Sequence, residues 1–81
     1  MNYKKYIDIM EAKEFLELFI EEVEVEDTDV SLDTPLSDIE EWDSLAVMTV
    51  ISIADEHFGK KLNASDIKTA VSINDLYQLL N

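Results

Sequence analysis

Between Leu45 and Phe58 the chain places nine apolar side chains, Leu45, Ala46, Val47, Met48, Val50, Ile51, Ile53, Ala54 and Phe58, around nearly the whole circumference of one helix. A chain of 81 residues buries only about 60–65% of the surface it exposes when unfolded, so it cannot cover such a helix on every side. Part of this surface is therefore expected to face a partner or a ligand. The ends are marked. Asp43 is a good N-cap, which puts Ser44 at the first helical position. Gly59, the only glycine, suits the left-handed position that stops a helix, and Lys60 and Lys61 follow near the negative end of its dipole.

The remaining elements arrange themselves around this one. Over residues 10–25, Ala12, Phe15, Leu16, Phe19, Ile20 and Val23 recur at helical spacing, with glutamates between them. That is an amphipathic helix with an acidic outer face. Residues 1–9 have no clear period and either extend this helix or fray. Residues 24–43 form a long connection holding the only proline, Pro35, and five aspartates. Val30, Leu32, Leu36, Ile39 and Trp42 are too irregular for a strand and too many for a solvated linker, so the loop is expected to be pinned to the core, with one helical turn at 37–40. Residues 63–69 read as a short helix capped by Asn63 or Ser65, with Ile67 inward. Ser72 caps the last helix, Asp75 completes an acidic capping box, and Ile73, Leu76, Tyr77 and Leu80 form its core stripe. The expectation is an all-α single domain over residues 1–81, a four-helix bundle with three main helices, a short third one and a long first loop.

The net charge of −13 excludes nucleic acid and anionic membrane surfaces as partners and favours basic protein surfaces. The chain is expected to be a monomer without stable membrane insertion. With no cysteine it has no disulfide, no thiolate metal site and no thiol nucleophile of its own. Its start, with acidic residues close behind two lysines, does not read as a signal peptide, and nothing approaches a membrane span, so a cytoplasmic location is expected.

Catalysis by the chain itself has little support. His57 is the single imidazole and has no neighbour in sequence to orient it as a base; one histidine among scattered carboxylates also lacks zinc-ligand spacing. Asp27, Asp29, Ser31, Asp33 and Asp38 occupy the first, third, fifth, seventh and twelfth places of an EF-hand-like loop. Leu32 stands where that loop needs glycine, and the twelfth place is not a glutamate leading into a helix. A calcium-binding loop is the weakest of the readings weighed. Ser44 is different. It opens a helix whose N–H groups and dipole stabilise an attached anion, it follows a loop that leaves it exposed, and no adjacent side chain would make it a catalyst. The residues alone make it a modification site without naming the group.

The stretch from Leu36 to Leu80 resembles an acyl carrier protein of the phosphopantetheine-attachment family. The family motif, Asp-Ser-Leu at the start of the second helix, is matched by Asp43, Ser44 and Leu45, and Asp55-Glu56-His57-Phe58-Gly59 is similar to the family's ending of that helix. The resemblance implies a right-handed four-helix bundle and no enzymatic activity. It implies that a phosphopantetheinyl transferase moves the 4′-phosphopantetheine arm of coenzyme A onto Ser44, with Asp43 and Leu45 beside it. The arm would carry acyl or aminoacyl groups as thioesters in fatty-acid-like, polyketide or related biosynthesis. Further implied partners are an acyl-loading ligase or synthase and acyltransferases with basic surfaces, met through Trp42, Ala46, Val47, Thr49, Asp55 and Glu56.

Glu41 stands where many carriers of fatty acid synthesis have glycine, and Ala46 and Thr49 where they have acidic residues. The pattern is closer to specialised stand-alone carriers, such as those serving D-alanine transfer, polyketide or peptide assembly, or glycan acylation. Met48, Ile51, Ile67 and Ala70 either line an acyl pocket or fill the core. The competing reading is an unmodified acidic protein-interaction domain that uses the surplus apolar surface of the 44–58 helix.

Overall fold

The computed structural model describes the backbone of residues 3–80 and the side chains of residues 11–80. Helix α1 runs Tyr3–Val23, so most of the stretch without a clear period extends the helix; Met1 and Asn2 lie outside the described residues. Phe15 and Phe19 are fully buried, and Ala12, Leu16 and Val23 pack against the same core, while Glu11, Glu14 and Glu17 face outward. The helix ends without a glycine. Glu24 takes the left-handed conformation at φ 63°, and the Val25 N–H donates back to the Ile20 carbonyl at 3.0 Å. This closes the end as glycine normally would, but with a Cβ in a region that disfavours it.

The long connection is fixed from two sides. Leu36 and Ile39 are buried, and the Trp42 ring lies 5.9 Å from that of Phe19. Its backbone is laced to the segment before the last helix: the Leu36 N–H donates to the Val71 carbonyl at 2.8 Å, and the Asn74 N–H to the Leu32 carbonyl at 2.8 Å. Pro35 and Ser72 form an isolated antiparallel bridge. The single turn is a 3-10 helix at Leu36–Asp38, one residue earlier than the spacing predicts, because burying Leu36 sets where the turn begins.

Helix α2 spans Ser44–Phe58, with Asp43 as N-cap and Gly59 left-handed at φ 63°. Helix α3, Ala64–Ile67, is short. Asn63 rather than Ser65 caps it: the Asn63 Oδ1 accepts the Asp66 N–H at 2.9 Å, and the Ser65 hydroxyl donates to the same oxygen. Helix α4 is Ile73–Gln78 with the expected Ser72–Asp75 capping box. It continues in tight turns, Leu79 N–H to Leu76 carbonyl and Leu80 N–H to Tyr77 carbonyl. It is therefore a minor helix in length, and Leu80 at its end is only half-buried while Ile73, Leu76 and Tyr77 are buried.

The helices meet at one aromatic centre. The Phe15 ring lies 6.4 Å from Phe19, 6.0 Å from Phe58 and 6.1 Å from Tyr77, joining α1, α2 and α4. Val50, Ile53, Ile67, Ile73 and Leu76 fill the space around it with almost no exposure. Each such side chain contributes about 1.5–3 kcal/mol of burial. The result is the expected all-α bundle of four helices.

Candidate functional site

The start of α2 is built by its cap. The Asp43 Oδ1 accepts the Ala46 N–H at 2.9 Å, and the Asp43 carbonyl accepts the Val47 N–H at 3.0 Å. The N–H groups of Ser44 and Leu45, at the first two helical positions, have no acceptor inside a helix. Ser44 is exposed and so is Asp43. The serine hydroxyl is thus held at the positive end of a 15-residue helix, clear of the core and open to an approaching reagent.

Beside it lies a groove of about 820 Å³ between α2 and the end of α1. One wall carries Leu45, Met48, Thr49 and Glu56 of α2, and the opposite wall Glu22, Val23 and Glu24. Leu45 is 76% exposed and Met48 63%, so the surplus apolar surface expected of this helix is real and sits next to Ser44. Asp43 and Glu41 stand at the groove's serine end. The Glu41 Oε2 accepts the Glu26 N–H at 3.3 Å, which ties the loop to the end of α1.

The expected contact residues separate by helical register. Ala46, Val50, Ile53 and Ala54 point inward together, and Ala46 is 3% exposed. It offers a partner little area of its own and lies at the floor of the groove. Val47 is half-buried against the core, Trp42 is half-buried against Phe19, and the Thr49 hydroxyl donates to the Leu45 carbonyl at 3.0 Å. Asp55 and Glu56 are exposed; Asp55 meets Lys61 at 3.6 Å, while Glu56 faces the groove. Met48 also moves. It does not share an acyl pocket with Ile51, Ile67 and Ala70: it is exposed on the groove, whereas Ile67 is core at 1% exposure. The sequence pattern did not point to Glu22, Val23 and Glu24 as part of the site. Their signal was present, as a helix end with carboxylates where cations belong and no glycine after it.

Two of the five candidate calcium ligands in the 27–38 loop hydrogen-bond the loop's own backbone. The Asp27 Oδ1 accepts the Asp29 N–H, and the Ser31 Oγ accepts the Asp33 N–H. Among the described residues no group of three acidic or histidine side chains converges to hold a metal ion. His57 is exposed near the end of α2.

A sequence model of the phosphopantetheine attachment site matches residues 13–80, a span that contains all of α2, α3 and α4. No curated protein and no solved structure matches the chain. The residues present fit the group that such a site takes: an exposed serine hydroxyl at a helix start gives a phosphate both room and two N–H groups without intrahelical acceptors. With the match covering most of its length, the chain belongs to the phosphopantetheine attachment family, whose domains are non-catalytic carriers of covalently bound 4′-phosphopantetheine.

Proposed function

We propose that Ser44 is the attachment residue and that the chain carries acyl or aminoacyl groups in a biosynthetic pathway. The observation that carries this reading is the exposed Ser44 hydroxyl at the first position of α2, inside the matched span and flanked by Asp43 and Leu45. The arm supplies the thiol that this cysteine-free chain lacks, and with it the thioester that holds the cargo. The chain's own part is presentation. Asp43 fixes the helix start, the helix end favours the phosphate, and the long loop, anchored by Leu36, Ile39 and Trp42, keeps the serine clear of the core.

Carrier domains of this family work with phosphopantetheinyl transferases and synthesis enzymes. For this chain we take the transferase, an acyl- or aminoacyl-loading ligase or synthase, and acyltransferases as partners, each meeting a surface whose charge of −13 calls for a basic counterpart. Residues 1–81 then act as one carrier unit, monomeric because two copies repel one another, and work in the cytoplasm, where coenzyme A is drawn on. No helix among the described residues is long and apolar enough to cross a membrane.

The test is intact-mass measurement after incubation with coenzyme A and a broad-specificity phosphopantetheinyl transferase. One added phosphopantetheine on the native chain and none on Ser44→Ala is the expected result. An unmodified native chain, or an arm that persists in Ser44→Ala, overturns the assignment and favours an unmodified interaction domain.

A further inference from the structure

A cargo carried on Ser44 can lie in the bundle beneath α2 or along its outside. The interior is already occupied. The Phe15 ring centre is 6.4 Å or less from those of Phe19, Phe58 and Tyr77. Val50, Ile53, Ile67, Ile73 and Leu76 surround these rings with at most 2% exposure, and Val47 and Ile51 of α2 and Ala70 behind α3 pack against the same centre. The residue types also decide how far this core can give way. Val50, Ile53, Ile67 and Ile73 are β-branched and stiff at χ1, and the four rings are flat bodies that move only as wholes. Methionine, whose flexible thioether lets a core re-form around a guest, is not among these side chains: Met48, the one methionine with a described side chain, is 63% exposed. Methylenes forced into packing of this kind push side chains off their rotamers and shift the backbone.

The outside offers little more to an alkyl chain. On the groove beside Ser44 the large exposed apolar side chains are Leu45 and Met48, and Glu22, Glu24, Glu41, Asp43 and Glu56 stand around them. Two such side chains cover a few methylenes; a longer chain is left in water or against carboxylates. We propose that this carrier takes short cargo, acyl or aminoacyl groups of a few carbons, and holds it outside the bundle, with the core closed to alkyl chains. The inference deepens the carrier reading and rests on it. The fold then gives the thioester no shelter, and a partner reaches the cargo without drawing it out of the protein.

The experiment offers the native chain coenzyme A, acetyl-coenzyme A or octanoyl-coenzyme A with a broad-specificity phosphopantetheinyl transferase, which moves each arm whole. A cargo inside the bundle binds the folded state alone, so it raises the melting temperature and shields the thioester; a cargo outside does neither. The expected result is acetyl and octanoyl forms that melt within about 2 °C of each other. Hydroxylamine should cleave both thioesters at rates within about twofold of those in the acyl-coenzyme A donors. In nuclear magnetic resonance spectra, changing acetyl to octanoyl should move backbone amides at residues 43–49 and leave those of Ile53, Ile67, Ile73 and Leu76 in place. A higher melting temperature with octanoyl, slower cleavage of its thioester, or shifts at those core amides overturns the proposal. A chain that accepts no arm even from plain coenzyme A overturns the carrier reading itself, and this proposal with it.

Discussion

At the scale of single residues, two backbone positions at φ 63° make opposite predictions. Gly59 ends α2 there, and a Cβ added to it would meet nothing within 4 Å. Gly59→Ala therefore isolates the conformational cost, about 1 kcal/mol, which corresponds to a melting temperature roughly 4–8 °C lower for a domain of this size. Glu24 ends α1 at the same φ with the wrong residue for it. Glu24→Gly should raise the melting temperature by a similar amount, and Glu24→Gln by less, since it removes the carboxylate and keeps the strain. Thermal unfolding of the three variants checks both; a Glu24→Gly chain no more stable than the native one would show that the α1 end is not strained. The residue scale is also where the sequence was least legible. That Gly59 would be left-handed follows from its being the only glycine after a helical run. That Glu24 would be follows from nothing local, because glutamate is a good helix former and the turn is imposed by the loop behind it, which must bring Glu26 to Glu41 and Trp42 to Phe19.

The same division holds for the elements. Helix positions, the Ser72–Asp75 capping box and the inward stripe of Ile73, Leu76 and Tyr77 could be read directly, since period and cap chemistry are local. The face of α2 that meets solvent could not. Its residues are apolar all round, so only the packing of Phe15, Phe19 and Ile67 against it decides that Ala46 turns in while Leu45 and Met48 turn out. The start of α2 was legible because Asp43, Ser44 and Leu45 form a contiguous triplet with a cap in it; the wall opposite was not, because α1 and α2 are joined by a 20-residue connection and meet only in the fold. The cap that starts α2 gives a prediction at this scale. Asp43→Ala leaves the Ala46 N–H without the 2.9 Å bond and should cost about 1 kcal/mol. Asp43→Asn keeps an acceptor and should recover most of that stability. Comparing transferase rates on the two variants then separates helix capping from any contact Asp43 makes with a partner: recovery of both stability and rate in Asp43→Asn assigns Asp43 to capping, and recovery of stability alone assigns it a charge contact as well.

For the whole molecule, the main electrostatic force outside the core is self-repulsion. Nineteen acidic residues face six basic ones, and the single ion pair among the described residues is exposed at both ends, so it offsets little. The carboxylates cover the surface of a small bundle, and compacting the chain brings them within about one Debye length of each other at 0.1 M salt. Screening should therefore favour the folded state more than the expanded unfolded one. Raising sodium chloride from about 0.02 M to about 0.5 M is expected to raise the melting temperature by several degrees. Generic salt effects on apolar burial would act in the same direction, so the decisive comparison is with a Glu11→Gln, Glu14→Gln, Glu17→Gln triple variant, which lowers the net charge from −13 to −10 at three exposed positions of α1. If repulsion is the cause, the variant is the more stable protein at low salt, its melting temperature rises less with salt, and the two curves converge as the Debye length falls toward about 3 Å near 1 M. Parallel curves would instead assign the salt effect to apolar burial. A basic partner of the kind proposed would relieve charge that folding alone leaves uncompensated, so added salt should weaken its binding while it stabilises the fold.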